Sequence, residues 1–138
     1  MLDRVLTEYR GSVKLVFKDF PLPGHALARP AHEAARCAGA ASKYWEYHDQ
    51  LFQAQPNFER ADLLRYASDL GIPVGAFAQC LDGGRFRSLV EADVEQGRRL
   101  GVSGTPTFFI NGVRLEGAAP FEAFKQVIDM VLPEGGKR

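Results

Sequence analysis

The chain has 138 residues, enough for one domain with a buried core. Its apolar share of 46% and charged share of 25% fit a globular protein and exclude a disordered one. Lys plus Arg number 17 and so do Asp plus Glu, so no bulk charge draws the chain to nucleic acid or to an anionic membrane surface. No apolar run approaches the length that crosses a bilayer. The start, Met1 to Leu6, carries an early acid at Asp3 and lacks the apolar core of a secretory signal. With Met1 as the natural start, the expected location is cytoplasmic.

Residues 1–10 read as the end of an amphipathic helix, with Leu2, Val5, Leu6 and Tyr9 on one face and Gly11 as its stop. Residues 13–20 alternate apolar and polar groups, which predicts a strand with one buried face, ended by Pro21 and Pro23. Pro30 suits the first turn of a helix. The helical region 30–53 carries a face of Ala31, Ala34, Ala35, Ala38 and Ala41, then Tyr44, Trp45, Leu51 and Phe52 as larger packing groups. The segment Gly39 to Ser42 is where this region is expected to break in two. A helix over 60–70 turns Leu63, Leu64, Ala67 and Leu70 inward and stops at Gly71. Pro73 opens a short helix with Phe77, Cys80 and Leu81 inward, stopped by Gly83 and Gly84. A helix over about 85–99 places Phe86, Leu89, Val90, Val94 and Leu100 on one side, and Gly101 closes it.

Beyond Pro106 the period changes to two. Strands over 106–110 and 113–116 join at Asn111-Gly112, a strong signal for a tight hairpin turn. Pro120 opens a last helix with Phe121, Phe124, Val127, Ile128 and Val131 buried, and the tail from Pro133 is expected to fray. The resulting class is α/β, a block of helices set between one strand and a hairpin-plus-helix unit.

The chemistry-bearing residues are few. Cys37 and Cys80 both fall on inward helix faces, and spacing alone leaves open whether they are buried free thiols or a structural disulfide. A redox-active pair is the least favoured reading, because nothing in the sequence sets a helix N-terminus or a basic group beside either one. His25, His32 and His48 do not share a metal-ligand spacing with the cysteines, so no metal site is expected, and they read as surface or packing groups. Asp19 ends the strand and could be buried near the core, although a surface acid at a strand end is the favoured reading. The charges Arg85, Arg87, Glu91, Asp93, Glu95, Arg98 and Arg99 read as a solvated helix face.

Three segments together carry a family resemblance. They are Val13-Lys14-Leu15-Val16-Phe17-Lys18-Asp19-Phe20-Pro21-Leu22, then Ala34-Ala35-Arg36-Cys37-Ala38 with Tyr44-Trp45-Glu46-Tyr47-His48-Asp49-Gln50-Leu51-Phe52, and Gly101-Val102-Ser103-Gly104-Thr105-Pro106-Thr107-Phe108-Phe109-Ile110-Asn111-Gly112. The chain resembles the DsbA-like branch of thiol-disulfide oxidoreductases in the thioredoxin superfamily. The resemblance implies a thioredoxin-like fold with an inserted helical subdomain, 1–28 and 101–132 forming the core and 29–100 the insertion. It implies a cis Thr105–Pro106 bond and a substrate-binding loop of Val102, Ser103, Gly104, Thr105 and Pro106. It also implies cysteine-bearing polypeptides as partners, no cofactor and an extracytoplasmic setting.

The family's reactive Cys-x-x-Cys, which sits where a helix N-terminus favours the thiolate, is not in this sequence. Residues 1–10 resemble the second half of that helix, so the first core strand and the dithiol are expected upstream of Met1. A sheet without its first strand has unpaired edges, from which a homodimer or strand exchange is expected. Catalytic residues are therefore none, and whether the chain is an enzyme stays open. Three functions are in view: an oxidoreductase-like chain without dithiol activity, a non-enzymatic polypeptide-binding accessory module, and a glutathione-linked kappa-type isomerase or transferase.

Overall fold

In the computed structural model, which describes residues 1–132, a short helix α1 (Leu2–Glu8) leads through an extended stretch into five helices. These are α2 (Ala28–Ala40), α3 (Tyr44–Ala54), α4 (Arg60–Asp69), α5 (Val74–Asp82) and α6 (Arg87–Arg99). A hairpin of β1 (Thr107–Ile110) and β2 (Val113–Glu116) follows, then α7 (Phe121–Val131). The expectation of a frayed tail from Pro133 lies outside the described residues. The chain divides into two units, one holding Met1–Lys18 and the chain from Gly101 on, the other Asp19–Leu100.

In the first unit, α7 packs against α1 and β1. Val5, Tyr9, Phe121, Phe124 and Ile128 form its core, flanked by Leu2, Val13, Phe108, Ile110 and Leu115. Phe108 meets Phe124 edge to face at 4.8 Å, a geometry that aligns ring edge with ring face. β1 and β2 pair antiparallel, Phe109 opposite Arg114 and Thr107 opposite Glu116. Asn111 and Gly112 both have positive φ, 49° and 87°, as the two-residue turn requires. The Tyr9 hydroxyl donates to Asp129 Oδ1 at 2.7 Å. Burial and then that carboxylate raise the phenol above its ordinary value, so it stays a donor.

The strand expected over residues 13–20 does not form: this stretch has no ladder partner, and the described sheet holds β1 and β2 alone. The alternation is nonetheless present as exposure. Val13, Leu15 and Phe17 are half-buried while Lys14, Val16 and Lys18 are exposed. A period-two pattern specifies extended chain with two faces, but a strand also needs a hydrogen-bonded neighbour.

In the second unit α2 is the central element, in contact with α3, α4, α5 and α6. Its small face, Ala31, Ala34, Ala35 and Ala38, is buried and lets the neighbouring helices come close. Tyr47, Leu63, Tyr66, Ala67, Ile72 and Phe77 fill the space around it. Tyr47 is fully buried and donates its hydroxyl to the Leu63 carbonyl at 2.9 Å, which answers the need of a buried polar group for a partner. The break between α2 and α3 falls at Ala41–Lys43, with Ser42 at φ 61°. At the start of α4 the Asp62 carboxylate accepts the Glu59 N–H at 3.2 Å, half of a capping box. Gln55–Pro56 is a cis peptide bond that no sequence pattern pointed to.

Several apolar groups expected inside are outside. Trp45, Phe52, Leu89 and Leu100 are all exposed, at 43% to 58%. On α3 the period 3.6 gives one inner stripe, taken by Tyr47 and Leu51. Trp45, His48 and Phe52 form a second stripe of rings, 5.2 and 4.7 Å apart.

Candidate functional site

The loop 101–106 lies between α6 and β1. Gly101 turns the chain out of α6 at φ 80°, and a Cβ there would stand 3.3 Å from the Arg114 guanidinium. Val102 and Gly104 are half-buried, whereas Ser103, Thr105 and Pro106 are exposed. The loop is held by few bonds. The Thr107 hydroxyl donates to the Gly104 carbonyl at 2.7 Å, and the Gly117 N–H donates to the Pro106 carbonyl at 2.8 Å. Thr105–Pro106 is cis.

The backbone groups of Val102, Ser103 and Thr105 make no backbone–backbone hydrogen bond among the described residues. β1 pairs only with β2 there, so its other edge carries no ladder. Unpaired, exposed backbone of this kind is what an extended polypeptide can pair with.

Sequence reasoning passed over the face of the hairpin next to this loop. Phe109 is 41% exposed, and the Arg114 guanidinium carbon lies 5.4 Å from the centre of its ring. Arg114 also reaches Glu116 at 2.8 Å. The signal was available: alternation through 107–116 puts Thr107, Phe109, Arg114 and Glu116 on one face.

Cys37 and Cys80 lie in the second unit and are bonded, with S–S 2.07 Å and Cα–Cα 5.9 Å. α2 brings the one and α5 the other. Arg85, just past α5, lines the same groove as both cysteines, so a basic group does stand beside them, contrary to expectation. Its position depends on how the chain turns at Gly83-Gly84, which spacing does not show.

The same unit holds a charged cluster that the sequence left on the surface. Asp19 is 2% exposed. One of its oxygens meets His32 Nδ1 at 2.8 Å and the other accepts from Arg36 Nε at 2.6 Å. Asp93 Oδ2 accepts from the Asp19 N–H at 2.9 Å and from Arg36 Nη2 at 2.8 Å. Burial pushes the Asp19 carboxyl up, but the hydrogen bonds from His32 and Arg36, then their charges, outweigh it and hold the group below its ordinary value. Burial likewise works against the Arg36 guanidinium, and its bonds to Asp19 and Asp93 more than offset that. The expected surface acid Asp19, the surface histidine His32 and the solvated Asp93 are thus one network tying the chain before α2 to α2 and α6. Tyr44 is half-buried in this unit, and burial, then the Asp19 charge, raise its phenol.

A family model described as Thioredoxin matches residues 1–130. The chain is 36% identical over 140 residues to the Na(+)/H(+) antiporter NhaA 3 of Salinispora tropica, a match covering 96% of this chain and 21% of the antiporter. It is 30% identical over 125 residues to NhaA 1 of Mycolicibacterium vanbaalenii, covering 88% of this chain and 20% of that one. The chain therefore spans about a fifth of the length of these curated relatives. No helix among the described residues is long and apolar enough to cross a membrane. Among solved structures, the thiol-disulfide exchange protein alpha-DsbA2 from Wolbachia pipientis has a TM-score of 0.81 at 21% identity, covering 94% of this chain and 70% of that one. That likeness is one of fold, a DsbA-like thioredoxin fold with a helical insertion.

Proposed function

The chain belongs to the thioredoxin family, and from that premise we propose that it holds extended, cysteine-bearing polypeptides at Val102, Ser103, Gly104, Thr105 and Pro106, with no dithiol catalysis of its own. One observation carries this reading: the exposed loop backbone without partners, set beside the open edge of β1. Backbone pairing supplies affinity with little regard for sequence, and the Phe109–Arg114 face offers an aromatic and a cation for side chains. The only two cysteines are bonded to each other within the helical unit, so the chain carries no Cys-x-x-Cys to pass on a disulfide. The match to antiporters supports a setting in which such a unit is one part of a larger membrane-associated chain.

The test is titration of an unfolded, cysteine-free peptide against the full chain, read by anisotropy. Pro106→Ala removes the fixed φ where the loop joins β1, and it is expected to weaken binding about tenfold, roughly one or two backbone hydrogen bonds. The open edge of β1 is also where a second copy would pair, so titrations are run at concentrations that light scattering shows to be monomeric. Insulin reduction with added reductant is expected at the uncatalysed rate. Peptide binding unchanged in Pro106→Ala, or insulin turnover that disappears on replacing Cys37 or Cys80, would overturn the proposal.

A further inference from the structure

The Cys37–Cys80 bond does not sit in sealed core. It lines an open groove of about 180 Å³ with Ala40, Ala41, Ala76 and Arg85. The groove is open to solvent, so a small thiol can enter it beside the bond. Apart from Arg85 and the two cysteines the lining is apolar, with Ile72, Pro73 and Phe77 beside the alanines. Arg85 is the charged residue of the lining, and its N–H donates to the Cys80 carbonyl at 3.1 Å, fixing it just past that cysteine. Its guanidinium makes no ion pair with any described residue and lies 5.0 Å from the Phe86 ring. Of the two cysteines Cys80 is the more accessible, 8% against 3% for Cys37.

We propose that this groove is a thiol-disulfide exchange site, at which a small thiol bearing a carboxylate forms a mixed disulfide with Cys80. Arg85 is exposed and draws the anion in by long-range attraction that salt weakens. The incoming thiolate attacks Cys80 Sγ and forms a new S–S bond while the Cys37–Cys80 bond breaks. Cys37 Sγ leaves with the electron pair and takes a proton from solvent. The step reverses when Cys37 Sγ, as thiolate, attacks Cys80 Sγ and expels the small thiol. A second molecule of the thiol can instead attack the mixed disulfide, leaving two cysteine thiols and a small-molecule disulfide, so electrons balance with the thiol as reductant. The exchange is a stoichiometric modification of the helical unit. It does not depend on the loop 102–106, so its failure and that of peptide binding are separately visible.

The experiment uses the full native chain with two probes, reduced glutathione (two carboxylates) and neutral 2-mercaptoethanol. Samples are quenched in acid, alkylated and read by intact and peptide mass spectrometry. The expected result is a glutathione adduct on Cys80, forming at least tenfold faster than the chain unfolds globally. Arg85→Glu lowers the glutathione rate about tenfold and the mercaptoethanol rate, whose attacking thiolate carries one negative charge fewer, by clearly less, as expected for charge steering. In the unaltered chain, added salt slows glutathione more than mercaptoethanol. Exchange no faster than global unfolding, an adduct confined to Cys37, or an equal effect of Arg85→Glu and salt on both thiols would each overturn the proposal.

Discussion

Replacing Asp19 by Ala removes the carboxylate that meets His32 at 2.8 Å and Arg36 at 2.6 Å. Hydrogen bonds to charged groups contribute about 1.5–3 kcal/mol each, and leaving a buried charge without its partner costs about 3–5 kcal/mol. Two features reduce that figure here. Arg36 keeps Asp93 at 2.8 Å, and the side chains of His32 and Arg36 are 23% and 25% exposed, so solvent can reach them. The expected loss is therefore near the lower bound, about 3 kcal/mol at pH 7. Asp19→Asn keeps the shape and one acceptor oxygen and is expected to cost about half as much.

The effect is tied to pH. The folded carboxyl titrates below its ordinary 3.8, so near that pH the unfolded chain binds more protons and stability rises with pH. The stabilisation is present above 3.8 and is lost as pH falls below it toward the depressed folded value. Trp45, the sole tryptophan, lies on α3 in the same unit, so urea titrations followed by its fluorescence give the stability of this unit directly. The gap between the native chain and Asp19→Ala is expected to close as pH drops below 3.8. A gap that is constant down to pH 2.5, or a cost under about 0.5 kcal/mol at pH 7, would refute the assignment of Asp19 as the charged tie of α2.

Other substitutions probe the two cores separately. Removing the disulfide with Cys37→Ser and Cys80→Ser together frees a sequence separation of 43 residues, and the chain-entropy relation predicts a loss of about 4 kcal/mol, read by the same fluorescence titration. Phe124→Ala deletes a ring that is 2% exposed and is expected to cost about 3–4 kcal/mol. Hydrogen exchange should show that loss as weaker protection of β1, β2 and α7. Tyr9→Phe takes the donor from Asp129, which Lys125 still holds at 2.8 Å, so the expected cost is smaller, about 1 kcal/mol by thermal unfolding.

How far the sequence reached follows from which signals are local. Pro30, Gly71, Pro73, Gly101 and Pro120 act on their own backbone, so they marked the helix ends to within a residue or two. Asn111-Gly112 marked the hairpin for the same reason. The loop 102–106 was legible as a motif through its small residues and proline. What it exposes was not, because an unpaired N–H is a fact about neighbours distant in sequence. Residues 13–20 show the same limit from the other side: alternation is written in the residues, whereas a ladder belongs to two segments at once.

Charge was the least legible property. Asp19 stands among Lys18, Phe20 and Pro21, and nothing in that neighbourhood distinguishes a solvated acid from a buried one. Its partners come from 13, 17 and 74 residues away. A one-dimensional reading assigns charged residues to water because burial without a partner is costly. It errs wherever the fold supplies the partner, and here Asp93, His32 and Arg36 did so. The cysteines differ in kind. Their helix faces were readable, but bonding them requires α2 and α5 to meet at that depth, and the Ala31–Ala38 face admits such an approach without selecting which helix makes it. The packing of α2 therefore comes before both the sulfur bond and the charged network, and a bulky residue at Ala34 or Ala38 is expected to disturb the two together.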